Sequence, residues 1–346
     1  MTPLLRVCCW WGLYLGGLGM TVCLAAESPV VRFESTETHM GVPFKIILYA
    51  ADQTAANRAF AAAFARIAEL DHVMSDYDRQ SELSRLSRSA PTQQPVPLST
   101  DLSRVLTRAQ QLAARTDGAF DVTVGPYVRL WRRARRQKQL PNAERLDQAR
   151  RAVGYKHLEL DAKAGSARLL VPNMRLDLGG IAMGYAVDGA LRVLRAQGVT
   201  RALVDASGDI GVADPPPDRT GWTIGVVPLS SEGTPSREIR LANAAVTTSG
   251  DAFQYVEIDG RRYSHIVDPR TGVGLTTRSG VTVIARDCAA ADSLATAVSV
   301  LGPEAGLRLI DETPGAAAFV VQAGDDGATE TYQSARFDRF VVCDST

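Results

Sequence analysis

Two consecutive glycines stand where an extended segment ends and a helix is predicted to begin. The segment reads Asp177-Leu178-Gly179-Gly180, and the apolar spacing of a helix then runs from Ile181 to Gln197. Glycine lets the backbone approach a ligand closely, and a helix N-terminus presents unpaired N–H groups to phosphate. The segment suits a pyrophosphate, although tight strand-to-helix turns also use glycine for steric reasons alone.

A histidine and a carboxylate lie three residues apart after a predicted hairpin. Asp259-Gly260 is typical of a hairpin turn, and the second strand leads to His265 and Asp268. Histidine titrates near neutral pH and can act as a general base, while Asp268 could orient it, bind the nucleophile or hold a metal. The alternative is a structural turn in which Asp268 caps the backbone before Pro269.

A carboxylate and a hydroxyl, Asp292 and Thr296, lie four residues apart in a segment that is predicted to open a helix. This spacing places both side chains on one helix face. Such a pair can ligate Mg²⁺, which keeps few protein ligands and completes its shell with substrate phosphates. Taken alone, Asp292 would more often be an ordinary helix cap.

Composition excludes some partners and allows a large core. The 346 residues are 45% apolar, enough for a sizeable globular core. Lys plus Arg and Asp plus Glu each number 38, so the net charge is zero and no nucleic-acid partner is predicted. The histidines besides His265 are His39, His72 and His157, so no His-rich metal site is predicted.

The N-terminus has the order of a secretory signal. One cation, Arg6, precedes an uncharged stretch over 7–24 and then Ala25 and Ala26. We expect a signal peptide over 1–26 and an exported protein, periplasmic or attached to the inner membrane on its periplasmic side. An uncleaved membrane anchor and lipidation at Cys23 are the alternatives, and either would attach the protein to the membrane. The mature chain keeps two cysteines, Cys288 and Cys343, and the sequence does not show whether they form a disulfide.

An arginine-rich stretch follows Gly125-Pro126, where we expect the chain to turn. Its cations surround Trp131 and are Arg129, Arg132, Arg133, Arg135, Arg136 and Lys138. The simpler interpretation is a solvated helix face or loop, and the alternative is a docking surface for anionic lipid or an acidic partner.

The remaining patterns predict a mixed α/β domain. Alternation over 32–49 predicts a strand, and the Ala-rich segment from Thr54 to about Val73 predicts a helix. A polar link over 81–97 leads to Ser99, a plausible N-cap of a second helix. Further strands are predicted at 175–178, 202–205, 222–227 and 281–285.

These segments, in this order, resemble the ApbE family of FAD:protein FMN transferases. The resemblance runs from about Thr38 to the C-terminal region. It is carried by seven motifs, namely Met40-Gly41, Met74-Ser75-Asp76-Tyr77 with Ser81-Glu82, 118–126, the Asp177 glycine segment, Ser249-Gly250, the His265 segment and the Asp292 segment.

The resemblance implies a single flavin transferase domain over 30–346, with a T-fold-like fold of sheets flanked by helices and a cofactor site in a central cleft. It implies FAD contacts at Met40, Tyr77, Ala119, Phe120, Asp121, Asp177, Met183 and Val267. It places Mg²⁺ on the carbonyl of Gly180 and the side chains of Asp292 and Thr296. His265 is the candidate base, with Asp268 as its helper or rival.

The implied reaction moves FMN from FAD to a Ser or Thr hydroxyl of a target protein and releases AMP. The implied target is an exported or membrane-bound electron-transfer flavoprotein, such as a subunit of a sodium-pumping quinone reductase. The lipid anchor or the arginine-rich stretch would supply membrane contact. Two alternatives stay open, an FAD pyrophosphatase that uses water and a flavin-binding protein without turnover.

The sequence departs from the family at two positions. Met183 stands where the family usually has Lys or another polar residue, so a cation or hydrogen bond to the cofactor is missing unless another residue supplies it. Ala295 stands where some members have Asp, which favours a single Mg²⁺.

Overall fold

The structure is a computed structural model that describes residues 30–226, 237–250, 254–324 and 328–342. The predicted signal peptide, the lipidation candidate Cys23 and Cys343 lie outside these residues. Cys288 is fully buried.

The described residues form helices α1 Gln53–Met74, α2 Glu82–Arg88, α3 Thr100–Arg115, α4 Gly125–Gln137, α5 Ala143–Arg150, α6 Ala182–Ala196 and α7 Cys288–Asp311. The strands are β1 Val31–His39, β2 Val42–Ala50, β3 Val96–Pro97, β4 Leu158–Asp161, β5 Ser166–Leu169, β6 Ala202–Ala206, β7 Asp209–Val212, β8 Trp222–Val226, β9 Arg237–Leu241, β10 Ala244–Gly250, β11 Tyr255–Ile258, β12 Arg261–Ser264, β13 Val267–Asp268, β14 Val273–Gly274, β15 Ser279–Ala285, β16 Ala317–Ala323 and β17 Thr329–Gln333.

An eight-stranded antiparallel sheet organises the molecule. Its order is β1-β2-β6-β7-β10-β15-β16-β17. Alternation along β15 sends Val283 into the core beneath the helices and Ile284 into a smaller core on the opposite face. Helices α1, α6 and α7 cover the first face, and the β8–β9 hairpin covers the second. The predicted mixed α/β organisation is confirmed.

A third apolar cluster holds the β11–β12 hairpin against α4. The indole N–H of Trp131 donates to the carbonyl of Gly272 at 2.8 Å, and its ring lies 5.0 Å from that of Tyr263. Asp259 and Gly260 have φ values of 50° and 72°, as the predicted hairpin turn requires. This packing fixes the loop that follows β12.

Several boundary predictions are wrong for local reasons. The single strand over 32–49 is a hairpin, because Met40 and Gly41 both have positive φ and turn the chain. The link over 81–97 contains α2. Gly125-Pro126 begins α4 and does not form a turn, since Pro is also favoured in the first turn of a helix.

Helix α7 starts against α6. Asp287 is its N-cap and accepts the N–H of Ala290. Asp188 of α6 adds a second cap from outside the helix, because its two carboxylate oxygens accept the N–H groups of Cys288 at 2.8 Å and Ala289 at 3.0 Å. The two helices are therefore joined at one point through backbone donors that would otherwise lack partners.

The Asp188 carboxylate predicts a pH dependence of stability. Burial raises its pKa to about 6, although the two N–H donors oppose the shift. The unfolded value is about 3.9, so the folded state binds more protons between these values and loses stability as pH rises. We expect the unfolding free energy of wild type, relative to Asp188→Asn, to fall by up to about 3 kcal/mol from about pH 4 to 7.

Urea unfolding at each pH measures this difference. The exposed Asp147→Asn variant serves as the surface control. Parallel pH profiles for wild type and Asp188→Asn would contradict the assignment.

Candidate active site

A cavity of about 970 Å³ lies beside the N-terminus of α6. Its volume is at the upper end of the range for small-molecule sites, roughly 300–1,000 Å³. The structure brings most of the predicted site residues to its wall, namely Met40, Tyr77, Ala119, Phe120, Asp121, Asp177, Gly180, Met183, His265, Val267 and Thr296. Asp268 and Asp292 are the predicted site residues that do not line it.

The glycine segment reaches the cavity as a loop. The predicted strand at 175–178 is wrong, since Arg175 forms only an isolated bridge with Val124. The N–H of Asp177 donates to the carbonyl of Val122 at 2.8 Å, and its carboxylate accepts the N–H of Gly179 at 2.9 Å. Helix α6 then begins at the cavity wall, where its first N–H groups can bind an anion.

Two glycines allow α7 to approach this loop and α6. A Cβ on Gly180 would lie 2.7 Å from the hydroxyl oxygen of Thr296. A Cβ on Gly184 would lie 2.4 Å from the carbonyl oxygen of Cys288. Any side chain at either position would therefore separate the elements that form this wall.

Asp292 lies in the second turn of α7 and does not cap it. The side chain is buried, and one oxygen accepts the N–H of Gly184 at 3.3 Å. Burial and then the nearby Asp209 raise the pKa of Asp292 well above its usual value, against the effect of the Gly184 N–H. The carboxylate thus contacts the start of α6 from beneath the cavity wall.

The surroundings of Asp292 fit a divalent cation. Asp209 is also buried, and burial raises its pKa to about 7. One of its carboxylate oxygens has no hydrogen-bond partner among the residues that the structure describes. Two buried carboxylates without a nearby cation are unfavourable unless they are protonated or bind a metal. The carboxylate of Asp292, hydroxyl of Thr296 and carbonyl of Gly180 are the hard oxygen donors that Mg²⁺ prefers.

This donor set includes a hydroxyl and a backbone carbonyl. Within the described part of the chain, no group of three or more His, Cys, Asp or Glu side chains is arranged to hold a metal. Asp209 follows Gly208 at the start of β7, and the sequence analysis did not select it because its proximity to Asp292 depends on the fold.

Tyr77 stands at the cavity with most of its side chain exposed, at 77%. The guanidinium of Arg132 lies 4.2 Å from the centre of its ring. Arg132 also forms ion pairs with Asp76 and, at 3.1 Å, with Asp177. It therefore holds an exposed aromatic platform and two carboxylates in one arrangement.

Arg132 is a site residue that the sequence analysis treated only as part of the arginine-rich stretch. Val128, Arg132 and Arg135 all line the cavity. Their spacing of four and three residues puts them on one face of α4. If 125–137 had been predicted as a helix, the spacing of Val128, Arg132 and Arg135 would have separated this cavity-lining face from the solvent-exposed face of α4.

Burial and Asp76 raise the pKa of Asp177, and Arg132 opposes that shift. Arg132 therefore supplies the counter-charge that a buried carboxylate at the wall needs. Met183 also lines the cavity. The cations at the wall are thus on α4, while the position where the family usually has Lys is a thioether.

The loop after α3 and the β1–β2 turn complete the wall. The carboxylate of Asp121 is buried and accepts both the N–H and the hydroxyl of Thr123 at 2.7 Å. Burial raises its pKa. The N–H of Met40 donates to Asp71 at 3.0 Å, which fixes the turn against α1. Asp121 shapes the loop, and Ala119 and Phe120 provide apolar surface.

His265 meets the cavity from the end of β12. Its Nδ1 lies 3.1 Å from the carbonyl oxygen of Gln254. A carbonyl can only accept, so Nδ1 is the protonated nitrogen and Nε2 has the lone pair in the neutral ring. This tautomer is the one that a general base acting through Nε2 requires.

Asp268 is not placed as the helper of His265. Its carboxylate accepts the main-chain N–H of Arg270 at 2.9 Å and the guanidinium of the same residue at 3.0 Å. It lines a second, smaller cavity of about 370 Å³. The turn after β13 engages this carboxylate, because a short Asp side chain reaches the N–H two residues on.

None of the described helices is long and apolar enough to cross a bilayer.

Residues 40–320 match the ApbE family. The FAD:protein FMN transferase of Vibrio cholerae is 35% identical over 277 residues, covering 79% of this chain and 81% of that protein. The transferase of the same name from Escherichia coli K12 is 30% identical over 278 residues, covering 79% and 78%.

Solved structures agree with these matches. The flavin transferase ApbE from Vibrio cholerae superimposes with a TM-score of 0.79 at 30% identity, covering 90% of this chain and 100% of that one. The apo flavinyl transferase ApbE of Pseudomonas stutzeri gives 0.79 at 32% identity, covering 90% and 97%. Because both sequence and fold match over most of the length, this chain belongs to the ApbE family.

Proposed function

We propose that this protein transfers the FMN portion of FAD to a Ser or Thr hydroxyl of a target flavoprotein and releases AMP. The observation that carries the proposal is one large cavity that combines the N-terminus of α6, His265 and the wall formed by Gly180 and Thr296. The curated relatives from Vibrio cholerae and Escherichia coli are named FAD:protein FMN transferases, which is consistent with this chemistry.

Mg²⁺ is part of the proposal, with Gly180, Asp292 and Thr296 as its protein ligands. Bound there, it would offset the negative charge of the pyrophosphate. The buried charges of Asp292 and Asp209 favour a cation at this place.

The chain's own groups position the reactants. The first N–H groups of α6 hold phosphate oxygens, and Tyr77 with Arg132 offers a flat surface for a ring. Nε2 of His265 accepts the proton of the target hydroxyl. A bond forms from that hydroxyl oxygen to the FMN phosphorus while the bond from the phosphorus to the AMP oxygen breaks, so AMP leaves with the electron pair.

The proposed site of action is outside the cytoplasm. The N-terminal order of Arg6, the uncharged stretch over 7–24 and the two alanines supports export. The target would then be an exported or membrane-bound electron-transfer flavoprotein. Attachment to the inner membrane would require Cys23 or the arginine-rich stretch.

A coupled assay tests the transfer. Purified protein is incubated with FAD, Mg²⁺ and an acceptor domain, here a recombinant subunit domain of a sodium-pumping quinone reductase. We expect the acceptor to gain the mass of one FMN as an equal amount of AMP appears. Asp292→Asn should slow both by on the order of 100-fold, because the carboxylate ligand proposed for Mg²⁺ is lost and with it much of the charge stabilisation at the phosphates.

Asp287→Asn is the matched control, since it removes a carboxylate from the same helix and keeps a good N-cap. AMP without acceptor labelling would instead support the pyrophosphatase. Retention of FAD with neither product would support the binding protein.

Removal of Arg132 should weaken FAD binding. Arg132→Ala leaves Asp177 buried without its counter-charge and frees Tyr77 from the guanidinium. We expect the dissociation constant for FAD to rise about tenfold or more, since the uncompensated Asp177 carboxylate would repel the phosphates of FAD and Tyr77 would lose the cation that fixes its ring. Quenching of flavin fluorescence measures it.

Arg133→Ala is the neighbouring control, because among the described residues Arg133 hydrogen-bonds only within α4, to Gln137 at 3.0 Å. Equal FAD affinity in the two variants would show that Arg132 does not contribute to FAD binding.

A further inference from the structure

Four arginines from four chain segments meet on one surface beside the cavity. We call this set, Arg79, Arg88, Arg129 and Arg175, the arginine patch. The guanidinium of Arg88 donates to the carbonyl of Arg79 at 2.6 Å. The N–H of Leu176 donates to the hydroxyl of Ser87 at 3.0 Å, which joins the segments of Arg88 and Arg175.

The start of α4 closes the patch. Val124 is bridged to Arg175, and a Cβ on Gly125 would lie 2.5 Å from the Arg175 carbonyl oxygen. Arg129 therefore projects from α4 next to Arg175. Burial and then the charges of Arg129, Arg88 and Arg79 lower the pKa of Arg175, as expected for like charges held together.

The patch has no internal counter-charge. All four side chains are exposed, and across 30–226, 237–250, 254–324 and 328–342 none of them forms an ion pair with a carboxylate. Arg132, one helical turn after Arg129, is by contrast paired with Asp76 and Asp177. A cluster of four cations is thus left to solvent in a chain whose net charge is zero.

The patch borders the entrance that an acceptor must reach. Tyr77, two residues before Arg79, lines the cavity and is largely exposed. Val128, next to Arg129 in sequence, and Asp177, two residues after Arg175, line the same cavity. Any protein that presents a hydroxyl to the cavity therefore passes beside these arginines.

We infer that the arginine patch is the docking surface for an acidic face of the acceptor protein. The inference rests on the proposed transfer function, which requires a protein at this entrance. Guanidinium groups bind carboxylates through paired hydrogen bonds, and a local positive surface speeds encounter with a negative partner. A protein is favoured over a membrane because the patch adjoins the cavity to which a target hydroxyl must come.

Charge reversal tests the docking. Arg79→Glu/Arg129→Glu changes two exposed side chains that form no hydrogen bond with a described residue. Binding of the quinone-reductase acceptor domain is measured without FAD by biolayer interferometry. We expect the dissociation constant to rise tenfold or more, while FAD affinity stays unchanged. For wild type alone, binding should weaken steeply between about 50 and 300 mM NaCl.

Arg58→Glu/Arg339→Glu is the matched control, with the same change in net charge. Arg58 lies ten residues, about 15 Å of helix, before the first cavity residue of α1, and Arg339 lies in the short helical turn Phe337–Arg339. Equal binding by both double variants, or no wild-type binding, would overturn the inference. Unchanged acceptor binding by Arg79→Glu/Arg129→Glu together with reduced binding to vesicles of anionic lipid would also overturn it and would assign the patch to a membrane.

Because binding is read without catalysis, the inference and the proposed function can fail separately. An acceptor that docks through the patch without gaining FMN would retain the inference and reject the transfer activity.

Discussion

The close contact between α6 and α7 is the constraint on which the site depends. Gly184 lets the α6 backbone approach the Cys288 carbonyl, and its N–H reaches Asp292. Asp188 accepts the first two N–H groups of α7. One crossing point therefore places the N-terminus of α6, which suits phosphate, next to the helix that carries Asp292 and Thr296.

This arrangement buries several carboxyl groups, which is electrostatically unfavourable in the ligand-free protein. Burial raises the pKa values of Asp292, Asp209 and Asp188, and the charges of Asp209 and Asp188 add to the shift at Asp292. Burial of carboxylates without cations destabilises a fold, and the cation proposed at Asp292 would offset that cost. Asp188 instead caps α7. Arg132 meets the same need for Asp177. The cavity wall therefore combines the Arg132–Asp177 ion pair with buried acidic groups, and a cation bound together with a phosphate ligand would neutralise the latter.

Local signals could be predicted from the sequence, and tertiary pairings could not. The periodicity of α1 and the Asp259-Gly260 turn depend on neighbouring residues and were predicted within one or two positions. In the described part of the chain, the predicted strand at 175–178 pairs only through the single bridge from Arg175 to Val124, and strand pairing is a non-local property. The motifs selected most residues of the cavity wall. Arg132 and Asp209 were not predicted as site residues. The role of Arg132 depends on contacts with residues 45 or more positions away in sequence. The role of Asp209 depends on its burial beside α7.

The proposed transfer requires that no side chain at position 180 separates the glycine loop from Thr296. The most direct measurement is the transfer rate of Gly180→Ala, whose new Cβ would lie 2.7 Å from the Thr296 hydroxyl oxygen. We expect a loss on the order of 100-fold from displacement of that wall, with a melting temperature lowered by no more than about 10 °C. A wild-type rate in a folded Gly180→Ala protein would contradict it.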